Sequence, residues 1–583
     1  MAYAFYACKK EKEHPGEIIA RTLDRQIDSL SILVSSRFIP ALKSPKANVK
    51  ELQRLFLETR LVYKKLEWAA EYFTPDFAHA ANGPPVQEAE TGSQQVIQPT
   101  GLQVMEPLLF PGYGQLHKAE LIRQLQLLCR GCADFKAYFK NEPLDDWQVF
   151  DAGKLEVFRM LSLGLTGFDD PLSLNSMQEC AATLSGLQQV FGYYTQDRNN
   201  LIQQISGAMS YLNVHPDFGS FDRAGFILSY GNPITAEITG LQRKLSIPII
   251  KYNRLLNQEA ETLFDTGAFN VDAHGPGPNY VLTGSRVLLG KKLFSDTRLS
   301  ADRSRSCSSC HRPANAFTDG LMKNTVIGGK GLVRRHTPTL LNAALQTEQF
   351  DDQRVNTLEE QVAEVMHNKE EMHGSFKLAT NRLGRCKDYR QLFVNAYPEK
   401  ERNPITAFAI QNALASYIRS LSKLNSNFDR YMRGDSSAMN TDAVSGFNLF
   451  MGKAKCGTCH YMPLFNGVLP PTYIHTDAEV IGVPESSSAR QIDKDPGRYG
   501  VQPFAFLKNA FKTPTVRNAN RTAPYMHNGV FHTLDELIDF YDKGGGAGRG
   551  IKIGNQTLSP EPLKLTIKER KELVTFIKCL DDQ

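Results

Sequence analysis

Cys307-Ser-Ser-Cys310-His311 and Cys456-Gly-Thr-Cys459-His460 repeat one pattern, C-x-x-C-H, in the second half of a 583-residue chain. The spacing has a chemical reason. Two thiols about one helical turn apart can form thioethers with the two vinyl groups of a porphyrin, and the imidazole that follows then lies beneath the iron as its proximal ligand. One such match could arise by chance. Two in one chain, each after a helix-like segment with Gly-Lys (Gly290-Lys291 and Gly452-Lys453), point to two covalently bound c-type haems. A pair of zinc or disulfide sites would need partner cysteines at comparable spacing, and the sequence has none. Cys307, Cys310, Cys456 and Cys459 are the expected attachment residues, with His311 and His460 as iron ligands.

The rest of the composition sets limits. Ten cysteines leave six outside the two motifs, Cys8, Cys129, Cys132, Cys180, Cys386 and Cys579, without the spacing of a disulfide framework. With 67 basic against 62 acidic residues the formal charge is +5, which gives no nucleic-acid or polyanion surface. No stretch is apolar for long enough to span a bilayer. A chain of this length exceeds a single core, so three domains are expected. At the N-terminus, Met1-Ala-Tyr-Ala-Phe-Tyr-Ala7 precedes Cys8 and a charged Lys9-Lys-Glu-Lys-Glu13 tether. This reads either as the tail of a bacterial lipoprotein signal, with lipid on Cys8 and most of the leader missing, or as a disordered terminus with a chance cysteine.

Residues 16–264 read as long amphipathic helices. Leu121, Leu125, Leu128 and Cys132 recur at spacings of four, three and four, one apolar stripe along a helix. Cys129 and Cys132 form a CxxC, but Ala133 stands where a haem site needs histidine, so both are expected to be buried, inert thiols. The Pro/Gly/Gln-rich stretch 82–101 reads as a loop. Residues 265–281, with Thr266-Gly267 and His274-Gly-Pro-Gly-Pro278, have linker composition. The haem region divides again near 425–442. The expected organisation is a tether remnant (1–15), a helical bundle of unknown role (16–264), a linker (265–281) and two cytochrome-c-like domains (282–430 and 431–583), all-α throughout.

Two resemblances extend this reading. Arg60-Leu-Val-Tyr-Lys-Lys-Leu-Glu67 and Gly101-Leu-Gln-Val-Met-Glu-Pro-Leu-Leu-Phe110 faintly resemble imelysin-like helical bundles, with Gln103 where such proteins often carry histidine. From about Tyr280 onward the chain resembles the bacterial di-haem cytochrome c peroxidase and MauG family. Gly284-Ser-Arg-Val-Leu-Leu-Gly-Lys-Lys-Leu-Phe294 leads into the first haem motif, and Thr337-Pro-Thr-Leu-Leu-Asn342, Gln349-Phe-Asp-Asp-Gln-Arg354, Glu360-Gln361 and Asn368-Lys-Glu-Glu-Met372 follow it. After the second motif come Lys512-Thr-Pro-Thr-Val-Arg-Asn518, Thr522-Ala-Pro-Tyr-Met-His-Asn-Gly529 and Leu534-Asp-Glu-Leu-Ile-Asp-Phe-Tyr541.

That resemblance implies a peroxidatic first haem with Glu371 on its distal side and Gln361 as a second distal polar group. A carboxylate there suits the chemistry, because heterolytic cleavage of hydrogen peroxide moves a proton from the inner to the outer oxygen. It also implies a second haem that takes electrons from a small redox protein such as a cytochrome c or cupredoxin, and a location outside the cytoplasm. Calcium ligands match at the carbonyls of Thr522 and Pro524, whereas His336 replaces the family's asparagine ligand. Gly328 stands near the position of the histidine that closes the first haem of reductively activated relatives, so that haem is expected to be open at rest. The tryptophan usually found between the haems is Asp351 here; Trp68 and Trp147 are the chain's only two. Tyr541, not Met526, falls at the distal ligand position of the second haem, and a hard phenolate lowers a haem's potential. The expected activity is peroxide reduction to water. A MauG-like oxidase acting on a protein or organic substrate and a non-catalytic electron carrier are the alternatives.

Overall fold

A glycine at a helix crossing organises each haem-binding lobe. The computed structural model describes residues 13–89, 95–195, 199–400 and 402–583. In the first lobe, helix Gly284–Phe294 crosses helix Ala407–Arg419. In the second, helix Thr441–Met451 crosses helix Ile567–Lys578. A Cβ at Gly290 would lie 1.9 Å from the Ala413 carbonyl oxygen, and one at Gly446 would lie 2.0 Å from that of Glu572. Neither crossing has room for a methyl group. Glycine inside a helix costs about 0.5–1 kcal/mol relative to alanine, so the closeness of the backbones outweighs that penalty at both crossings.

The chain forms two compact units, Met1–Phe221 with Ser229–Ile250, and Asp222–Leu228 with Lys251–Gln583. The fold is all-α: an N-terminal helical bundle and two cytochrome-c-like haem domains. Strand among the described residues is limited to two pairs of two-residue strands and isolated bridges. No described helix is long and apolar enough to cross a membrane.

In the first unit, helices such as Val49–Lys64, Lys118–Asn141, Asp146–Ser162 and Ser176–Gly192 bury the stripe Leu121, Leu125, Leu128 and Cys132. Asn48 caps one by accepting from the amides of Lys50 and Glu51, and Asp145 with Gln148 forms a capping box on another. Two details differ from the sequence reading. Cys129 is only half-buried, because on a helix it lies about 300° round from Cys132, at the edge of the apolar stripe. Within 82–101, Glu88–Ala89 pairs antiparallel with Val96–Ile97, since backbone groups packed beside helices need partners even in a Gly/Pro-rich stretch. The bundle interior is unusually ionic. Arg60 grips Glu179, Lys64 reaches Glu67 at 2.8 Å, and Arg159 forks onto Asp169 at 3.0 Å, all buried. Gln103 belongs to this network, donating to the Asn82 carbonyl at 2.9 Å.

In the second unit, residues 251–281 bury Leu255, Leu256, Leu263, Phe264 and Phe269. The first haem lobe gathers Leu289, Leu293, Phe294, Met366, Met372, Phe393 and Ile410 around one core. The second packs Phe428, Phe447, Phe450, Phe465 and Phe576 ring against ring, with centroids 5.0 Å apart for Phe428 and Phe465. Thr357 with Glu360, Thr533 with Glu536 and Thr566 with Glu569 are capping boxes that fix where the site-bearing helices begin. Strand Ala478–Glu479 pairs with Phe511–Lys512 beside the second motif.

Gly446→Ala forces a methyl group against the Glu572 carbonyl, an overpacking that costs about 1–3 kcal/mol. The expected outcome is a lower denaturant midpoint for the second lobe with an unchanged slope, followed by its near-ultraviolet aromatic signal.

Candidate haem sites

Cys307 and Cys310 lie on a single helical turn, Cys307–Cys310, opened by Ser306, and His311 ends it. Cys456 and Cys459 lie on and just after a 3-10 turn, Cys456–Thr458, and His460 follows. No described cysteine is in a disulfide. Both histidines are held in the same way. His311 Nδ1 lies 3.0 Å from the Phe317 carbonyl oxygen, and His460 Nδ1 lies 3.0 Å from that of Pro514. A carbonyl can only accept, so each Nδ1 carries the proton and each Nε2 keeps its lone pair. Burial lowers both imidazole pKa values, that of His460 to about 4, which keeps the rings neutral. Free thiols in pairs beside a neutral, orientationally fixed imidazole are the donor set of a c-type haem, and the residues fit that group.

Glu371 belongs to the first motif. Its charge pushes up the thiols of Cys307 and Cys310, in each case after the larger effect of burial. Burial also raises the Glu371 carboxyl, against the pull of the Arg354 guanidinium and of a 2.7 Å hydrogen bond donated by Asn368 Nδ2 to Oε1. Asn368 ends helix Leu358–His367, and its own oxygens accept from the amides of Glu370, Glu371 and His373. The carboxylate is therefore fixed by a turn, not by chance exposure. Gln361 is half-buried on the same helix, two turns before Asn368 and on the same face. Its neighbour Glu360 is occupied by the cap of that helix. The 327–331 turn, with Gly328, Gly329 and Gly331 at positive φ, is tied to this segment by Ile327 N donating to the Glu370 carbonyl at 2.9 Å.

Around the second motif, Tyr541 and Met526 both pack on the cluster of Val483, Val530, Phe531 and Phe540. Burial raises the Tyr541 phenol, and Cys456, Cys459 and Glu479 raise it further, so the phenol lies close to the attachment cysteines. Met526 sits in the turn 525–529 with φ of 72°. Glu479 Oε1 is 3.8 Å from Cys459 Sγ, and burial, then Asp477, lifts its carboxyl to about 7. The sequence reading gave Glu479 no part, and no spacing rule would have found it.

The remaining expected residues are placed as follows. Thr522 precedes the cis Ala523-Pro524 bond and Pro524 completes it, and the carbonyl oxygens of Thr522 and Pro524 accept no backbone hydrogen bond among the described residues. His336 Nδ1 lies 2.8 Å from the Leu321 carbonyl. No described group of three or more His, Cys, Asp or Glu side chains could hold a metal ion. Asp351, at the tryptophan position, accepts on its carbonyl from Lys512 N at 2.7 Å. Cys8 lies outside the described residues.

A family model described as di-haem cytochrome c peroxidase matches residues 284–437. The chain is 36% identical over 301 residues to the methylamine utilization protein MauG of Methylorubrum extorquens, covering 51% of this chain and 79% of that protein. It is 34% identical over 355 residues to the cytochrome-c peroxidase IdrP1 of a Pseudomonas species, covering 56% and 91%. Among solved structures, a MauG-like protein associated with microbial copper homeostasis aligns with a TM-score of 0.46 at 26% identity, over 53% of this chain and 95% of that one. Identity at this level over most of the length of these two relatives and about half of this chain settles the membership: the chain belongs to the di-haem cytochrome c peroxidase and MauG family, and is an oxidoreductase with two c-type haems.

Proposed function

We propose that this protein reduces hydrogen peroxide at the first haem site with electrons that enter through the second, in the balance H2O2 + 2 H+ + 2 e− → 2 H2O. The observation that carries the reading is Glu371, a carboxyl with a raised pKa, beside Cys307 and Cys310 and anchored by Asn368. The haems, when bound, would supply the redox chemistry, peroxide reduction at the first site and electron relay at the second. Cys307 with Cys310 and Cys456 with Cys459 would carry the thioethers, and His311 and His460 would present Nε2 to iron. Glu371 would take the proton from one peroxide oxygen and deliver it to the other, a role that a carboxyl raised by burial suits. Asn368 holds Oε1, which leaves Oε2 to move the proton. Gln361, on the same helix face, would orient the peroxide.

The first site would be open at rest, because glycines fill the 327–331 turn where a closing histidine would stand. A calcium ion would take the carbonyl oxygens of Thr522 and Pro524, hard ligands of the kind it prefers. The domain bounds of the sequence reading, an extracytoplasmic location, lipid on Cys8 and a cytochrome c or cupredoxin donor belong to the same proposal.

One observation favours a second reading. Tyr541 lies by the second pair of cysteines, where it would be the distal ligand of that haem. Phenolate ligation lowers the potential of haem iron, which favours withdrawal of electrons from a protein or organic substrate, as in a MauG-like oxidase.

Glu371→Gln is expected to keep both haems and to lower peroxide turnover by about a hundredfold or more, the usual loss of a positioned proton carrier. Steady-state peroxide consumption checks this, and turnover within about twofold of wild type would remove Glu371 from the mechanism. Tyr541→Phe is expected to change the ferric spectrum of one haem and raise its potential, while Met526→Leu leaves both unaltered. A methionine-to-iron charge-transfer band that vanishes only in Met526→Leu would refute the Tyr541 assignment and restore the peroxidase reading alone.

A further inference from the structure

Arg335 joins a segment that follows the first C-x-x-C-H motif, at Asp352, to segments that follow the second, at Asp495 and Phe511. Its Nη1 is 2.7 Å from Asp352 Oδ2, its Nε is 2.9 Å from Asp495 Oδ2 and its Nη2 is 3.0 Å from Asp495 Oδ1. The guanidinium lies 5.6 Å from the centroid of the Phe511 ring. The three charged side chains are 12%, 9% and 5% exposed, so little water screens them. Asp495 is fixed further by the Gly497 amide at 2.9 Å, and Asp352 by Arg354 at 2.8 and 3.0 Å.

Each side of this bridge leads to one imidazole. Toward the first site, Thr337, two residues after Arg335, donates from Oγ1 to Asp319 Oδ2 at 2.8 Å. Asp319 lies two residues after Phe317, whose carbonyl holds His311 Nδ1. Arg354, which also pairs with Asp352, is the largest cationic influence on Glu371. Toward the second site, Phe511 begins the strand Phe511–Lys512, and Pro514, two residues further, holds His460 Nδ1. Lys512 N donates to the Asp351 carbonyl at 2.7 Å, which joins the two sides again through the backbone.

Asp495 also accepts from Arg334 at 2.8 Å, and a largely buried ion network of this kind is a poor way to gain stability alone, because desolvating the charges offsets most of their attraction. Its position supplies another reason. We propose that Arg335 is a positioning residue shared by both haem sites, an electrostatic bridge through which the charge state of one site is felt at the other. This rests on the ligand roles proposed above for His311 and His460.

The experiment is a spectroelectrochemical titration of the full-length holoprotein, resolving the midpoint potentials of both haems in wild type, Arg335→Gln, Arg335→Lys and Asp495→Asn. Loss of a buried positive charge stabilises the more positive, oxidised iron, so Arg335→Gln is expected to shift both potentials downward. Asp495→Asn removes a negative charge and is expected to shift both upward, while Arg335→Lys returns both close to wild type. Opposite signs at both haems are not a consequence of loosened packing. Arg335→Gln shifting one potential or neither would overturn the proposal, as would Asp495→Asn shifting in the same direction as Arg335→Gln. If Arg335→Gln fails to take up haem, Asp495→Asn decides the matter: an upward shift of both potentials, with Arg335→Lys at wild-type values, supports the bridge, and a shift of one potential or neither overturns it. Fewer than two covalent haems in the wild-type chain, measured as pyridine haemochrome, would instead sink the ligand roles beneath it.

Discussion

Close approach of two helix backbones is the constraint on which each haem lobe depends. At Gly290 against Ala413, and again at Gly446 against Glu572, there is no space for a side chain. These contacts bring the first and last helices of each lobe together, and everything between them is then looped over a core of limited size. In the first lobe that core is aliphatic and aromatic in mixture; in the second it is a cluster of phenylalanines. The second motif lies on a short turn soon after its glycine-bearing helix, Thr441–Met451, whereas the first follows helix Gly284–Phe294 after the 3-10 turn Thr297–Leu299.

The chemistry of the sites is then decided by backbone carbonyls and by burial. Phe317 and Pro514 offer one oxygen each, and the two imidazoles turn accordingly. Burial keeps the rings neutral and raises Glu371, Glu479 and Tyr541. The local cations pull the other way at Glu371, and there burial prevails. The result is an acid near the first pair of cysteines and an acid with a phenol near the second. The two sites are thus chemically unlike although their motifs are the same.

The segment around Asp351, where the family resemblance leads one to expect tryptophan, is held by polar contacts. Gln353 donates to the Thr476 carbonyl at 2.7 Å, Lys512 donates to the Glu348 and Asp351 carbonyls, and Arg498 reaches the Asp352 carbonyl at 3.0 Å. Hydrogen bonds and ion pairs, not an aromatic side chain at position 351, hold this segment. Such contacts hold register by direction, where an aromatic side chain would hold it by shape.

The sequence by itself determined the helical class, the two C-x-x-C-H sites and the order of the family's segments, because these depend on short-range spacing. A 3.6-residue period places Leu121, Leu125 and Leu128 on one face whatever they pack against, and C-x-x-C-H fixes its own thiols and imidazole within one turn. It also carried Glu371 and Tyr541 as positions within matched segments. Only the tertiary structure decided what surrounds them. Asn368 was legible as part of a motif, but its hydrogen bond to Glu371 exists because the chain turns back on itself after helix Leu358–His367. Glu479 beside Cys459, Pro514 beside His460 and Arg335 between Asp352 and Asp495 join residues that are 17 to 160 positions apart. No local pattern encodes such pairs, since they form when helices close over glycine and bring distant loops into one low-dielectric interior.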